Sequence, residues 1–148
     1  MLDFVYEETI DAPAELVFGV IENLPAYVDW NPFITADSGS AGLHQVVKGK
    51  SFLGPFTVSY RHKIYEFTPG RSLCWKDFGL VALFACGDRA RYVESTNGKT
   101  RYKCHLKVSG PLSFIAKMLF GKHLKHGIVE ECKALKALAE KTAGETSR

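Results

Sequence analysis

Thr100-Arg101-Tyr102-Lys103-Cys104-His105-Leu106-Lys107-Val108-Ser109-Gly110-Pro111 reads as a strand that runs into a stop signal. Tyr102, Cys104, Leu106 and Val108 recur at every second position, with Arg101, Lys103, His105 and Lys107 between them. One face of this strand is therefore apolar and the other cationic. Gly110-Pro111 ends the period of two, and from Leu112 to about 141 the spacing becomes helical. Ile115, Leu119, Leu124, Ile128, Cys132, Leu135 and Leu138 fall on one stripe. A sheet with one apolar face must cover it, and this terminal helix is the only large element available. Gly121 and Gly127 each cost about 1 kcal/mol relative to Ala in a helix interior, which predicts a bend or break between them. Residues 142–148 read as a frayed tail, leaving 1–141 as a single domain.

Upstream, Ser38-Gly39-Ser40-Ala41-Gly42, Leu53-Gly54-Pro55, Thr68-Pro69-Gly70 and Thr96-Asn97-Gly98 mark corners. Strands stand out between them at 56–67, 71–78 and 85–95, and Asn97-Gly98 predicts a tight hairpin. Such short connections imply an antiparallel meander. Alternation puts Phe56, Val58, Tyr60, His62 and Ile64 inward, opposite Thr57, Ser59, Arg61 and Lys63. Leu73 and Trp75 oppose Lys76. In the next strand Cys86, Asp88, Ala90 and Tyr92 share the inward face, and Arg89 and Arg91 face water. At the N-terminus, residues 2–10 read as another strand. Asp11 is placed to cap a helix that carries Leu16, Val17, Val20, Ile21 and Leu24, and Leu24-Pro25 breaks it. A short second helix follows and ends at Asn31-Pro32.

The chain has 148 residues, 46% of them hydrophobic, which suits one globular domain with its own core. A net charge of +3 is too small to argue for nucleic acid. Its distribution is uneven: residues 99–148 carry 11 Lys and Arg against 4 acids. Cys74, Cys86, Cys104 and Cys132 form no C-x-x-C pair and sit on apolar-patterned positions, the reading of buried thiols in a reducing cytoplasm. The N-terminal stretch lacks the pattern of a signal peptide, and no run reaches the roughly 18 apolar residues of a spanning helix.

The run Ile10-Asp11-Ala12-Pro13-Ala14-Glu15-Leu16-Val17-Phe18, followed by Tyr27-Val28-Asp29-Trp30-Asn31-Pro32-Phe33, resembles the opening of START-like (SRPBCC) proteins of the polyketide cyclase/dehydrase type. Thr68-Pro69-Gly70-Arg71 with Leu73 and Trp75 is similar to their mid-chain turn and strand. Asn97 to Arg101, Ser109-Gly110, and Gly127 through Glu140 resemble their closing section. The resemblance implies an α+β helix-grip fold, the fold of birch-pollen-type allergens. In it a curved antiparallel sheet of six to seven strands wraps a long C-terminal helix. It also implies a pocket for lipids, polyketides or other apolar molecules. It carries over no catalytic motif and no cofactor.

The pocket expected on these grounds is lined by Trp30, Val58, Tyr60, His62, Ile64, Leu73, Trp75, Tyr92, Tyr102 and Leu106, with Ile115 and Leu119 from the last helix. Three functions compete: a carrier of a hydrophobic small molecule, a cyclase or dehydratase, and a protein-interaction domain with a vestigial pocket. The enzyme would need inward polar groups, and alternation supplies His62 and Asp88 as acid and base. The alternative is a hydrogen-bonded core histidine and an Asp88 paired with arginine. Trp30 can equally pack the short helices, with Asn31 satisfying local backbone groups. His123, His126 and Glu130 have the spacing of metal ligands. The interrupting Gly127 and the neighbouring Lys122 and Lys125 argue against a cation there, so no metal is expected. Phe114 to Lys122 is apolar with flanking lysines. With the loop 52–56 it can form a portal, and the 114–126 region can touch an anionic membrane transiently; ordinary core packing is the rival. Oligomeric state is left open.

Overall fold

The structure, a computed structural model, describes residues 1–146. The period-two segments become strands β1 (Leu2–Ile10), β2 (Val46–Leu53), β3 (Phe56–Thr68), β4 (Ser72–Asp77), β5 (Cys86–Thr96) and β6 (Lys99–Ser109). They form one antiparallel sheet in the order β1-β6-β5-β4-β3-β2. Asn97 and Gly98 join β5 to β6 with φ of 51° and 80°, the pair of positive angles that a two-residue hairpin requires.

Between β1 and β2 the chain leaves the sheet through α1 (Ala14–Glu22), a single helical turn (Leu24–Ala26) and α2 (Tyr27–Trp30). Asp11 does not cap α1. Pro13 takes the N-cap position, its carbonyl accepting from Leu16 and Val17, while the Asp11 N–H donates to Glu140 Oε1 at 3.1 Å. The chain then runs beside β2. Thr35 N donates to Lys50 O at 2.9 Å and Phe52 N to Phe33 O at 2.8 Å, which covers that sheet edge.

α3 (Ser113–Thr146) is continuous through both glycines and past the expected end at 141; Ser147 and Arg148 of the expected tail lie outside the described residues. Gly127 is a crossing point: the Phe33 ring fills the space that a Cβ would need, so only glycine lets the helix come this close. The helix touches β1, β6 and β2. Since β1 and β2 are the two edges, the sheet curls around it. Ile128, Cys132, Leu135 and Ala139 form its buried stripe.

The predicted faces hold for β6 and β4 and fail for β5. Arg89, Arg91 and Val93 are buried, and they pair directly with Leu106, Cys104 and Tyr102, so they share the inner face. Asp88 and Tyr92 therefore lie on the outer face. A bulge between Ile64 and Glu66 likewise changes the phase of β3. Phe67 then packs on Phe18, ring centroids 6.0 Å apart. Cys74, Cys104 and Cys132 are buried free thiols, and Cys86 is half-buried.

Candidate functional site

Between the first half of α3 and the sheet lies a cavity of about 500 Å³. Val58, Tyr60, Trp75, Leu106 and Val108 line it from the strands, and Ala116, Phe120 and Leu124 from α3. Phe33 and Ile34 close it on the β2 side. Phe78, Leu80, Val81 and Ala82 come from the loop between β4 and β5. Leu80 and Val81 line the cavity and are also largely exposed, so the cavity opens to the surface at this loop. The tip of the β2–β3 hairpin is instead shut against α3. Phe56 meets Phe120 edge to face at 5.9 Å, and the His123 ring sits over Gly54.

One wall carries charge. Arg89 lines the cavity, and its guanidinium is 5.5 Å from the centre of the Phe33 ring. Behind it, Glu131 of α3 receives hydrogen bonds from Arg89 Nη2, from Arg91 Nη2 at 2.8 Å and from Asn31 Nδ2 at 2.8 Å. Asn31 Oδ1 in turn accepts from Phe33 N and Ile34 N. Burial alone would raise the Glu131 carboxyl; the two guanidinium charges and their hydrogen bonds overcome it and hold the group down at about 2. Arg89 Nε also donates to Cys104 Sγ at 3.3 Å. A hydrogen bond from Cys132 holds the Cys104 thiol below its ordinary range. Burial opposes this and the charges of Arg89 and Arg91 assist it, while Cys132 is pushed up. The Glu131 carboxylate pairs with both guanidiniums, which would otherwise be buried without a counter-charge. This cluster locks α3, β5, β6 and the strap after α2 in one register.

Beside the arginines on the same face of the sheet is an aromatic stack, with Trp75 paired directly to Arg89. Tyr60 and His62 stack with centroids 4.2 Å apart, and His62 and Trp75 at 5.5 Å. Tyr60 OH donates to Thr35 O, and burial pushes its pKa well up. His62 Nε2 lies 2.7 Å from Asp77 Oδ1, and Asp77 Oδ2 accepts from Gly87 N at 2.9 Å. His62 Nδ1 is buried and has no hydrogen-bond partner among the described residues.

Of the residues expected at the pocket, Val58, Tyr60, His62, Trp75 and Leu106 line the cavity. Ile64, Leu73 and Tyr102 point inward but are fully buried in the core and do not line it. Trp30 packs on Tyr27, ring centroids 5.2 Å apart, and does not reach it either. Tyr92 lies on the outer face. Ile115 and Leu119 are exposed; Ala116 and Phe120 take their places, because Glu131 must face the arginines and this fixes the rotation of the helix. Asp88 is outside too, its Oδ1 accepting from Tyr65 OH at 2.6 Å. The proposed acid–base pair of His62 and Asp88 is therefore not assembled. Asp77, Arg89 and the 78–82 loop were missed. Two signals pointed to them: eight uncharged residues in a row from Phe78 to Ala85, and an acid at 131 between Ile128 and Leu135 on an apolar stripe. Among the described residues no group of three or more His, Cys, Asp or Glu side chains could hold a metal ion, and no helix is long and apolar enough to cross a membrane.

No family model and no curated protein matches the sequence. Solved structures do. The Zhui aromatase/cyclase from Streptomyces sp. R1128 aligns over 95% of this chain and 94% of its own, with a TM-score of 0.73 and 14% identity. The di-domain aromatase/cyclase StfQ from the steffimycin biosynthetic pathway aligns over 96% of this chain and 51% of its own, with a TM-score of 0.76 and 13% identity. Norcoclaurine synthase from Thalictrum flavum, solved with dopamine and hydroxybenzaldehyde, aligns over 93% and 85%, with a TM-score of 0.69 and 15% identity. At such identities the likeness establishes the fold alone, an α+β helix grip.

Proposed function

We propose that this protein binds and carries an apolar small molecule in the cavity beneath the first half of α3. The observation that carries this reading is the cavity itself. Its volume of about 500 Å³ lies within the range of about 300–1,000 Å³ typical of small-molecule sites, above the size expected of a vestigial pocket. Its wall is apolar apart from a few oriented polar groups, the pattern that fixes a guest by shape first and by a few hydrogen bonds second. The aromatase/cyclases and norcoclaurine synthase that share the fold support a guest of polyketide-like or aromatic character. Carriage is favoured over the acid–base pairing of His62 with Asp88 because Asp88 faces away from the cavity. The free thiols suit a cytoplasmic protein.

Native mass spectrometry of the purified protein, together with displacement of a fluorescent apolar dye, tests the proposal. Ala116→Trp, which fills the cavity from α3, should abolish dye uptake and any co-purifying mass. Ile115→Trp, on the exposed side of the same turn, should leave both intact. Equal uptake by the two variants would place binding elsewhere and end the reading.

A further inference from the structure

The rim of the cavity mouth is apolar, exposed and flanked by cations. Leu80, Val81 and Met118 are 78%, 77% and 75% exposed, the first two on the β4–β5 loop and the third on the first half of α3. Leu83 and Phe84 on the loop, and Phe114 and Leu119 on the helix, are exposed as well. The two segments are neighbours. Leu112 N donates to Phe84 O at 2.8 Å, and Leu80 and Val81 share the cavity with Ala116 and Phe120. A soluble domain rarely leaves so many large apolar side chains together without a partner for them.

Charge identifies that partner. Residues 78–87 contain no charged side chain, and residues 108–129 contain Lys117, Lys122 and Lys125 with no acid. Lys125 leans on the Phe4 ring at 5.9 Å, whereas Lys117 and Lys122 are exposed and form no ion pair among the described residues. A second copy of this chain would set the same lysines against each other. A bilayer with anionic headgroups offers apolar depth for the loop and helix and counter-charge for the lysines. We infer that the β4–β5 loop and the first three turns of α3 dock the cavity mouth onto an anionic membrane surface. This goes beyond the carrier reading, since the surface can dock whether or not the cavity is filled.

Flotation of the full chain tests it, with vesicles of phosphatidylcholine alone and with about one-third phosphatidylglycerol. Capture is expected on the anionic vesicles, weakening as salt shortens the reach of the charges. Lys117→Glu with Lys122→Glu should reduce the partition coefficient at least about tenfold, and Leu80→Ser with Val81→Ser by a similar factor. Both pairs are on the surface, so an unchanged melting temperature verifies their fold. Dye uptake in vesicle-free buffer reports separately on the cavity. No capture, equal capture by neutral vesicles, or capture indifferent to both pairs would overturn the inference. So would a dimer in size-exclusion chromatography that the same substitutions dissociate.

Discussion

The two halves of α3 do different work. From Gly127 onward the helix is sealed into the molecule: Ile128, Cys132, Leu135 and Ala139 are buried, and Glu131 is bonded to two arginines from the sheet and an asparagine from the strap. Before Gly127 the same helix roofs a cavity with Ala116, Phe120 and Leu124, while Phe114, Met118 and Leu119 face outward. The second half holds the fold together, and the first half leaves space and an apolar surface. One rigid element can thus anchor a domain and border a binding site, with the charge cluster fixing the rotation that both roles need.

Breaking the anchored half at its centre should have the largest effect. Glu131→Gln leaves two buried guanidiniums short of a counter-charge and should cost about 3–5 kcal/mol in urea unfolding. The same substitution should change the acid limb. Glu131 is held near 2 in the fold against an ordinary 4.5, so its contribution is complete above about pH 4.5 and is lost as pH falls toward 2. The wild-type stability curve should slope down through that window, and the variant should lose that part of the slope. An unaltered slope would mean that Glu131 is not the group that titrates.

Next comes a direct contrast between the halves. Leu135→Ala in the buried stripe should destabilise by about 2–5 kcal/mol. Met118→Ala, about five turns earlier on the exposed side, should stay within about 0.5 kcal/mol. Equal losses would show that the first half is packed as tightly as the second. A stability effect between these two is expected at the junction. Gly127→Ala gains about 1 kcal/mol of helix propensity and loses about 1–3 kcal/mol to the clash with Phe33. The net change in denaturation midpoint should be small and unfavourable. Dye affinity should fall, because the displaced Phe33 ring encroaches on the cavity, and Phe33→Leu in the same chain should restore it.

The antiparallel meander from β3 to β6 and the faces of β4 and β6 were readable before any coordinates, because alternation, Asn97-Gly98 and Gly110-Pro111 act over a few residues and their meaning does not depend on the rest of the chain. The wall residues Val58, Tyr60, Trp75 and Leu106 follow from the same rule. Ile64, Leu73 and Tyr102 show its limit, since alternation says which side is inward but not where packing stops and space begins.

The sequence by itself determined a helix-grip scaffold with an aromatic inner face. Tertiary structure decided which charges are inside. Arg89 and Arg91 can turn inward only because Glu131, some forty residues on, arrives from another element to receive them, and a local pattern encodes no such meeting. The inward turn of these arginines sends Asp88 and Tyr92 to the far face, and the pairing with Glu131 rotates α3 so that Ala116 and Phe120, rather than Ile115 and Leu119, look into the cavity. Long-range electrostatic pairing outweighed the preference of each arginine for water, and the binding site took its shape from that outcome.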